Sequence, residues 1–107
     1  MRKHSYDILD KNWFIRGGEI DLIAYDGERV VFIEVKYRRS NISGTARESL
    51  SRIKKYRWYR SGLLWSHIHR LKEGEYQYDF IALQKNKESW RLEHYKNIEI
   101  LTHSSMK

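Results

Sequence analysis

The sequence contains no cysteine and no proline among its 107 residues. The lack of cysteine excludes a disulfide framework and any thiolate nucleophile or thiolate metal site. No apolar run approaches the roughly 18 residues that a membrane span needs, and the chain does not open on a secretory signal peptide. These absences predict a soluble, cytoplasmic protein without membrane association. The length suits one domain, spanning residues 1–107, with one modest core.

Acidic residues are scarce in one part of the chain. Between Lys36 and Arg60 there are nine Lys and Arg residues and a single acid, Glu48, which gives this stretch a net charge of +8. The whole chain carries +7, so the remainder sums to −1. A concentrated basic stretch attracts a polyanion such as nucleic acid, although a solvated helix face would have the same composition.

Polar residues interrupt an apolar pattern in the stretch from Gly17 to Lys36. Two short strands are predicted here, joined at Asp26-Gly27, because Asp-Gly between alternating apolar runs is a strong hairpin signal. Asp21 lies inside the first strand, and Glu34 lies two residues before Lys36 in the second. Since side chains alternate along a strand, Glu34 and Lys36 are expected on one face. The other face is expected to carry Val31, Ile33 and Val35.

Turn signals and periodicity predict an α/β fold, with a mixed central β-sheet and one long helix. The predicted order is strand, strand, strand, helix, strand, strand. Thr45 and Glu48 fit a capping box at the start of the helix. The predicted elements are a strand at 12–16, the hairpin at 19–38, a polar loop at 40–45, a helix at 46–64 or as far as 71, and strands at 76–84 and 90–101.

The predicted helix combines an apolar stripe with basic and aromatic residues. Basic groups among aromatics can hold phosphates and stack on bases, while ordinary half-buried packing predicts the same aromatics. Trp13 and Trp90 are expected in the core. The apolar stripe comprises Ala46, Leu50, Ile53, Leu63 and Leu64. The other helix faces carry Arg52, Lys54, Lys55 and Arg60, interleaved with Tyr56, Trp58 and Tyr59.

Two carboxylates that converge at adjacent strand ends would form a hard oxygen site. If Asp21 and Glu34 meet, the pair suits Mg²⁺ or Mn²⁺, with the carbonyl of Val35 as a further ligand. The metal could polarise a phosphodiester and activate a water molecule, and Lys36 could stabilise the charge that develops on the phosphate oxygens. From spacing alone, a surface ion pair between Glu34 and Lys36 is the simpler explanation.

Asp79 interrupts another apolar strand, where it alternates with Ile81 and Leu83. A buried structural aspartate that accepts backbone or arginine hydrogen bonds is favoured over a metal ligand at this position. The five histidines show no ligand spacing, so a zinc site is not expected.

The stretch GGEIDLIAYDGERVVFIEVKYRRS, at 17–40, resembles the YraN-like family of predicted endonucleases. This family is related to archaeal Holliday-junction resolvases within the PD-(D/E)XK nuclease superfamily. An Asp followed after about a dozen residues by Glu-x-Lys at the end of an apolar strand is the superfamily's pattern. Weaker matches follow in the same order along the chain, so the resemblance covers about residues 6–98. The weaker matches are Ile8-Leu9 with Asn12-Trp13, residues 51–55, residues 78–82 and residues 92–97.

The resemblance implies a restriction-endonuclease-like core in which Asp21 and Glu34 bind metal and Lys36 is catalytic. It implies a Mg²⁺- or Mn²⁺-dependent endonuclease that hydrolyses phosphodiester bonds in DNA, with branched DNA among its substrates. Arg52 and Lys54 are implied phosphate contacts. Further candidate contacts to nucleic acid are Arg38, Arg39 and Lys55.

The sequence departs from the family at its first residues. The family opens with a helix whose Glu completes the acidic site, whereas residues 1–10 here match the segment after that helix. Without the helix the metal site would be weaker and one apolar sheet face would lack its cover. A homodimer or a partner chain that covers this face is therefore expected. The alternative function is a nucleic-acid-binding module or subunit, with catalysis lost or completed by a partner.

Overall fold

One mixed sheet and one helix make up the protein in the computed structural model, which describes residues 6–16, 18–39 and 52–99. The strand order is β1-β2-β3-β4-β5, and only β3 and β4 are parallel. The helix connects these two strands, as a parallel pair requires a long crossover. The element order predicted from the sequence is confirmed. The elements are β1 (Asp7–Ile15), β2 (Gly18–Tyr25), β3 (Val30–Arg39), α1 (Arg52–Ile68), β4 (Tyr76–Lys85) and β5 (Trp90–Tyr95).

The first strand begins earlier than the sequence predicted, at Asp7 rather than near residue 12. Its register against β2 shifts between Ile8 and Asp10, and Asn12 has a positive φ of 50°. Both irregularities disturb the period-two alternation of side chains along β1. The sequence pattern therefore did not predict the first residues of this strand. The predicted loop at 40–45, the capping box at Thr45 and Glu48, and residues 46–51 of the predicted helix lie outside the described residues.

The Asp26-Gly27 turn joins β2 and β3 as predicted. The N–H of Asp26 donates to the carbonyl of Arg29 at 3.1 Å, and Gly27 has a φ of 101° that favours glycine. Asp26 Oδ1 accepts hydrogen bonds from the N–H groups of Glu28 and Arg29, both at 2.8 Å. Partial burial alone would raise the pKa of Asp26. The two N–H groups and the Arg29 charge outweigh that effect and hold this pKa below its usual value.

The ionised Asp26 side chain should contribute a small acid-sensitive part of the folding stability. Its pKa is lowered in the folded state, so the contribution is present above the unfolded pKa and is lost as the pH falls through the folded pKa. Asp26→Asn keeps the acceptor oxygen but not the charge. Urea unfolding at pH 7 and pH 3 should therefore show a smaller acid-induced loss in the variant, by a few tenths of a kcal/mol after solvent screening. Equal losses in both proteins would contradict this role.

The main core lies between the sheet and α1. Trp58 and Trp65, two helical turns apart, point from α1 toward Phe32 and Tyr78 of the sheet. The predicted apolar stripe was wrong at Leu64, which is 40% exposed. The helix instead buries its tryptophans, because the small residues between them let it approach the sheet closely. The buried core members are Ile20, Ile23, Val30, Phe32, Trp58, Trp65, Tyr78, Phe80 and Ala82.

Gly62 should tolerate no added methyl group, because α1 lies against the sheet at this residue. A Cβ here would sit 2.7 Å from Tyr78 Cε2 and 2.8 Å from Phe32 Cδ2. Gly→Ala in a helix interior normally stabilises by about 1 kcal/mol, but overpacking costs about 1–3 kcal/mol. We therefore expect Gly62→Ala to lower the urea midpoint, while His67→Ala at an exposed helix position leaves it nearly unchanged. A more stable Gly62→Ala protein would show that the contact relaxes freely.

The opposite face of the sheet carries a second, smaller core. Ala24, Val31 and Ile33 are buried there, and Leu22, Val35 and Ile81 pack against them. The predicted placement of Val31, Ile33 and Val35 on one face is confirmed. The one helix of the described ranges lies on the other side, and we call this side the open face. It contains a depression of about 450 Å³ lined by Tyr6, Ile8, Leu22, Ile33, Ile81, His94 and Lys96.

Asp79 organises a buried polar network on the open face. Its side chain is fully buried and accepts hydrogen bonds from Gln77 Nε2 at 2.9 Å, His94 Nε2 at 2.7 Å and the N–H of Asn97 at 2.9 Å. Arg29 Nη1 donates to Gln77 Oε1 at 3.1 Å and so reaches Asp79 indirectly. The prediction that Asp79 is a buried structural aspartate is confirmed. Its donors include the side chains of Gln77 and His94 in addition to the predicted backbone N–H.

Candidate metal and nucleic-acid site

Asp21 lies where β2 separates from β3. The ladder between the two strands runs from Tyr25–Val30 to Leu22–Ile33 and ends there. The next hydrogen bond is made by a side chain, since the N–H of Val35 donates to Asp21 Oδ2 at 2.9 Å. The half-buried carboxylate therefore replaces a backbone acceptor and is fixed against the peptide that follows Glu34.

The separation has a cause in the packing of β2. Ile20 and Ile23 both belong to the core beneath α1, although residues three apart in a regular strand face opposite sides. Leu22 packs on the open face. The alternation of side chains between the two sheet faces is thus interrupted between Ile20 and Leu22. Asp21 lies at this irregularity, and its carboxylate reaches toward β3.

Glu34 and Lys36 lie on one face of β3, as the sequence predicted, and this is the face covered by α1. In the parallel register Glu34 is beside Phe80, and Lys36 is beside Ala82; both neighbours belong to the main core. Glu34 is 4% exposed, whereas Lys36 is half-buried. A carboxylate this deep needs hydrogen bonds or a cation to offset its lost hydration. Glu34 is therefore a buried acid, not the surface residue that a simple surface ion pair with Lys36 would require.

The donor chemistry of this site fits a small hard cation. Asp21 and Glu34 come from adjacent strands, and the Val35 N–H bond ties the first to the peptide beside the second. Within the described ranges, no cluster of three or more His, Asp or Glu residues is placed to hold a metal. Two carboxylates suffice for Mg²⁺ or Mn²⁺ when waters and substrate phosphates complete the shell. The N–H of Val35 donates to Asp21, and the side chain of Val35 packs on the open face.

Comparison with known proteins assigns the chain to a family. The profile described as "Uncharacterised protein family UPF0102" matches residues 1–83. The chain belongs to this family. A UPF0102 protein from Carboxydothermus hydrogenoformans is 37% identical over 98 residues, which cover 92% of this chain and 83% of the relative. One from Herpetosiphon aurantiacus is 37% identical over 106 residues, covering 94% and 84%. One from Geobacter metallireducens is 32% identical over 97 residues, covering 91% and 80%.

The candidate nucleic-acid contacts of this UPF0102 chain lie near the same end of the sheet or on α1. Arg38 and Arg39 end β3, where their backbones pair with Gln84 and Lys85. The side chains of Arg38, Arg39, Arg52 and Lys54 lie outside the described part of the structure. Lys55 is half-buried on α1.

The helix aromatics proposed for stacking divide into two groups. Trp58 is buried in the main core and cannot reach a base. Tyr59 packs against the same core, and its carbonyl accepts a hydrogen bond from the Tyr78 hydroxyl at 2.8 Å. Tyr56 is half-buried with the Arg60 guanidinium 5.6 Å from its ring centroid. Packing therefore explains Trp58 and Tyr59.

Sequence reasoning missed an exposed aromatic pair. Trp90 was expected in the core but is 56% exposed, because it opens the edge strand β5 on the open face. Tyr37 is adjacent to it and 50% exposed. Alternation along β3 is the signal that would have placed Tyr37 on the face opposite Lys36, but the strand order that brings Trp90 near Tyr37 is tertiary information. The expectation for Trp13 was better, since Trp13 packs against the main core.

Proposed function

We propose that this UPF0102 protein is a metal-dependent endonuclease that hydrolyses phosphodiester bonds in DNA, including branched DNA, on a PD-(D/E)XK-like core. The observation that carries the proposal is the hydrogen bond from the Val35 N–H to Asp21 Oδ2. This bond holds the Asp21 carboxylate beside the segment of β3 around Val35. The same segment carries the buried carboxylate of Glu34 and the ammonium of Lys36. Two carboxylates and a lysine ammonium close to the point where β2 separates from β3 suit metal-assisted phosphoryl chemistry.

Each side chain has a distinct part in this mechanism. Asp21 and Glu34 would hold Mg²⁺ or Mn²⁺, which when bound polarises the phosphodiester and lowers the pKa of a water molecule. The Lys36 ammonium would stabilise negative charge as it develops on the phosphate oxygens. The Val35 N–H fixes the Asp21 carboxylate in advance, so that no rotamer has to be selected when the substrate arrives.

The charge of the chain supports a polyanionic substrate. The stretch from Lys36 to Arg60, with its net charge of +8, begins at the candidate site and continues into α1. Such a concentration of basic groups attracts DNA through release of its counterions and speeds association. Double-stranded and branched DNA would be attracted alike, so selectivity between them requires local contacts.

A second candidate function is a nucleic-acid-binding module or subunit without its own catalysis. It is favoured by the limited acidic donor set, which comprises two carboxylates within the described ranges. Here a second copy of the chain or a partner would cover the open face, and catalysis would be lost or completed by a partner. Sedimentation at micromolar concentration should then show a dimer, and a well-folded monomer would contradict the covering of that face.

Metal binding separates the two candidates. Calorimetric titration of Mn²⁺ should give binding to the wild-type protein that disappears in Glu34→Ala and persists in Glu88→Ala, which changes an exposed loop acid. Cleavage of linear and branched DNA should follow the same pattern. Absence of Mn²⁺ binding in the wild type would remove the catalytic proposal for this chain, whereas DNA binding without metal binding would support the second candidate.

A further inference from the structure

Two exposed aromatic rings and a lysine form a cluster at one end of the open face. The ring centroids of Tyr37 and Trp90 are 5.5 Å apart, with 48° between the ring planes. Lys85 Nζ lies 5.0 Å from the centroid of Trp90. Both rings are at least half exposed, although large aromatics are normally well buried. We call Tyr37, Lys85 and Trp90 the aromatic platform.

The sheet register explains why these three residues meet. Lys85 pairs with Trp90 across β4 and β5, and Arg39, two residues after Tyr37, pairs with Lys85 across β3 and β4. Tyr37 also follows Lys36 directly in β3. Consecutive strand residues point to opposite faces, so the platform lies behind Lys36 at the same end of the sheet. A strand of DNA passing around this end could contact both surfaces.

We propose that the aromatic platform binds unpaired nucleotides, with bases stacked on Trp90 and Tyr37 and a phosphate held by Lys85. The Lys85 ammonium that covers the Trp90 ring in the free protein is on a flexible stem. When a base takes its place over the ring, the ammonium can pair with the adjoining phosphate. The link between this platform and cleavage rests on the proposed nuclease function. If both hold, the substrate is DNA that has unpaired nucleotides beside the bond that is cut.

The charge around the platform favours nucleic acid over a protein partner. Lys85 stands at its centre and Arg39 occupies the neighbouring position on β3, while Lys87 in the β4–β5 loop is balanced by the adjacent Glu88. Lysine is depleted at the cores of protein interfaces because its ammonium is costly to desolvate. Cations beside exposed aromatic faces are, in contrast, the usual composition of single-strand binding sites.

The platform can be tested by binding to a single-stranded oligothymidine of about ten nucleotides. EDTA in the buffer excludes cleavage, so the readouts are fluorescence anisotropy of labelled DNA and quenching of tryptophan emission. Trp90 is the most exposed of the four tryptophans and should dominate the quenching. Trp90→Leu and Tyr37→Leu should each weaken binding by about 5- to 150-fold, the range for loss of one stacked base. Trp90→Phe should recover part of the affinity.

Matched controls separate stacking from charge and from general surface effects. Tyr25→Leu changes another exposed tyrosine, which lies about 23 Å from Tyr37 along the sheet by strand rise and should bind normally. Lys85→Gln should reduce the slope of log affinity against log salt by about 0.7, whereas Trp90→Leu should leave that slope unchanged. Lys72→Gln, an exposed lysine before β4, should change neither.

The possible results are distinct. Wild-type affinity in both Trp90→Leu and Tyr37→Leu, or no binding by the wild type, would overturn the platform. A change in sedimentation without a change in DNA binding would identify the cluster as a protein interface and also overturn it. Variants that lose binding in EDTA support the platform even if no protein cleaves DNA, a result that would refute only the nuclease proposal. Circular dichroism checks the fold, and Trp90→Phe serves if Trp90→Leu does not fold.

Discussion

Asp21→Asn should reduce metal-dependent DNA cleavage by about 10³-fold or more while leaving the stability of the fold nearly unchanged. A metal ion contributes several kcal/mol of transition-state stabilisation, and about 1.4 kcal/mol corresponds to a factor of ten in rate. Asparagine is a far weaker ligand for Mg²⁺ than a carboxylate. Its side-chain carbonyl can nevertheless accept the Val35 N–H, so the hydrogen bond at the end of the β2–β3 ladder survives.

Asp21→Leu provides the structural comparison. Leucine has a similar size but no acceptor, so it leaves the N–H of Val35 without its partner at a half-buried position. Loss of such a partner costs about 1–3 kcal/mol. Urea unfolding should therefore rank wild type and Asp21→Asn together above Asp21→Leu, while cleavage of branched DNA should fail in both variants.

An acidic residue outside the site provides a control for the Asp21 variants. Asp10 of β1 accepts the N–H of Lys11 at an exposed position, and Asp10→Asn should change neither cleavage nor unfolding appreciably. Cleavage at the wild-type rate by Asp21→Asn would exclude a metal-ligand role for Asp21. The Val35 hydrogen bond would then be purely structural.

The hairpin was predictable because its signals are local. Alternation of apolar residues fixes which side chains share a face, so Glu34 and Lys36 were correctly placed together before the fold was known. The Asp26-Gly27 turn is likewise determined within four residues, by a side-chain acceptor and a positive φ. The order of elements along the chain and the mixed character of the sheet followed from the same patterns, whereas the order of the strands within the sheet was not predicted.

The packing side of α1 was not predictable from hydrophobicity alone. Leu64 was placed in the apolar stripe, and Trp58 was placed on another helix face, where stacking on bases and ordinary packing were both considered; the structure exposes Leu64 and buries Trp58. The face of α1 that packs on the sheet is decided by how closely the helix approaches Phe32 and Tyr78. The small residues Ser61 and Gly62 permit this close approach. The sequence gives no measure of this distance, because it depends on the sheet residues that the helix meets.

The candidate site combines predictable and unpredictable parts. The acidic residues were found from their interruption of apolar strands and from the family resemblance. The interruption of alternation in β2, which carries Asp21 to the Val35 N–H, depends on Ile20 and Ile23 both turning into the main core. Trp90 was assigned to the core because tryptophan is usually buried, but an edge strand on the open face leaves it exposed.

Asp79→Leu should destabilise the protein by about 3–5 kcal/mol, a large fraction of the stability of a domain this size. The fully buried carboxylate accepts bonds from Gln77, His94 and the N–H of Asn97. Leucine would leave all three donors without an acceptor. The segment after β5 would also lose its attachment beside the bond from the Ile98 N–H to the Tyr78 carbonyl at 2.7 Å.

Asp79→Asn should cost less, because its carbonyl oxygen can replace Oδ1, which accepts from both Gln77 and Asn97. Glu93→Gln is a matched control on β5, since the Arg91–Glu93 ion pair spans 3.5 Å at a more exposed position and should contribute below about 1 kcal/mol. Urea unfolding gives the ranking, and hydrogen exchange at Asn97 and Ile98 shows where opening begins. Wild-type stability in Asp79→Leu would mean that water replaces the carboxylate, and that the network aligns polar groups without holding β4 and β5 together.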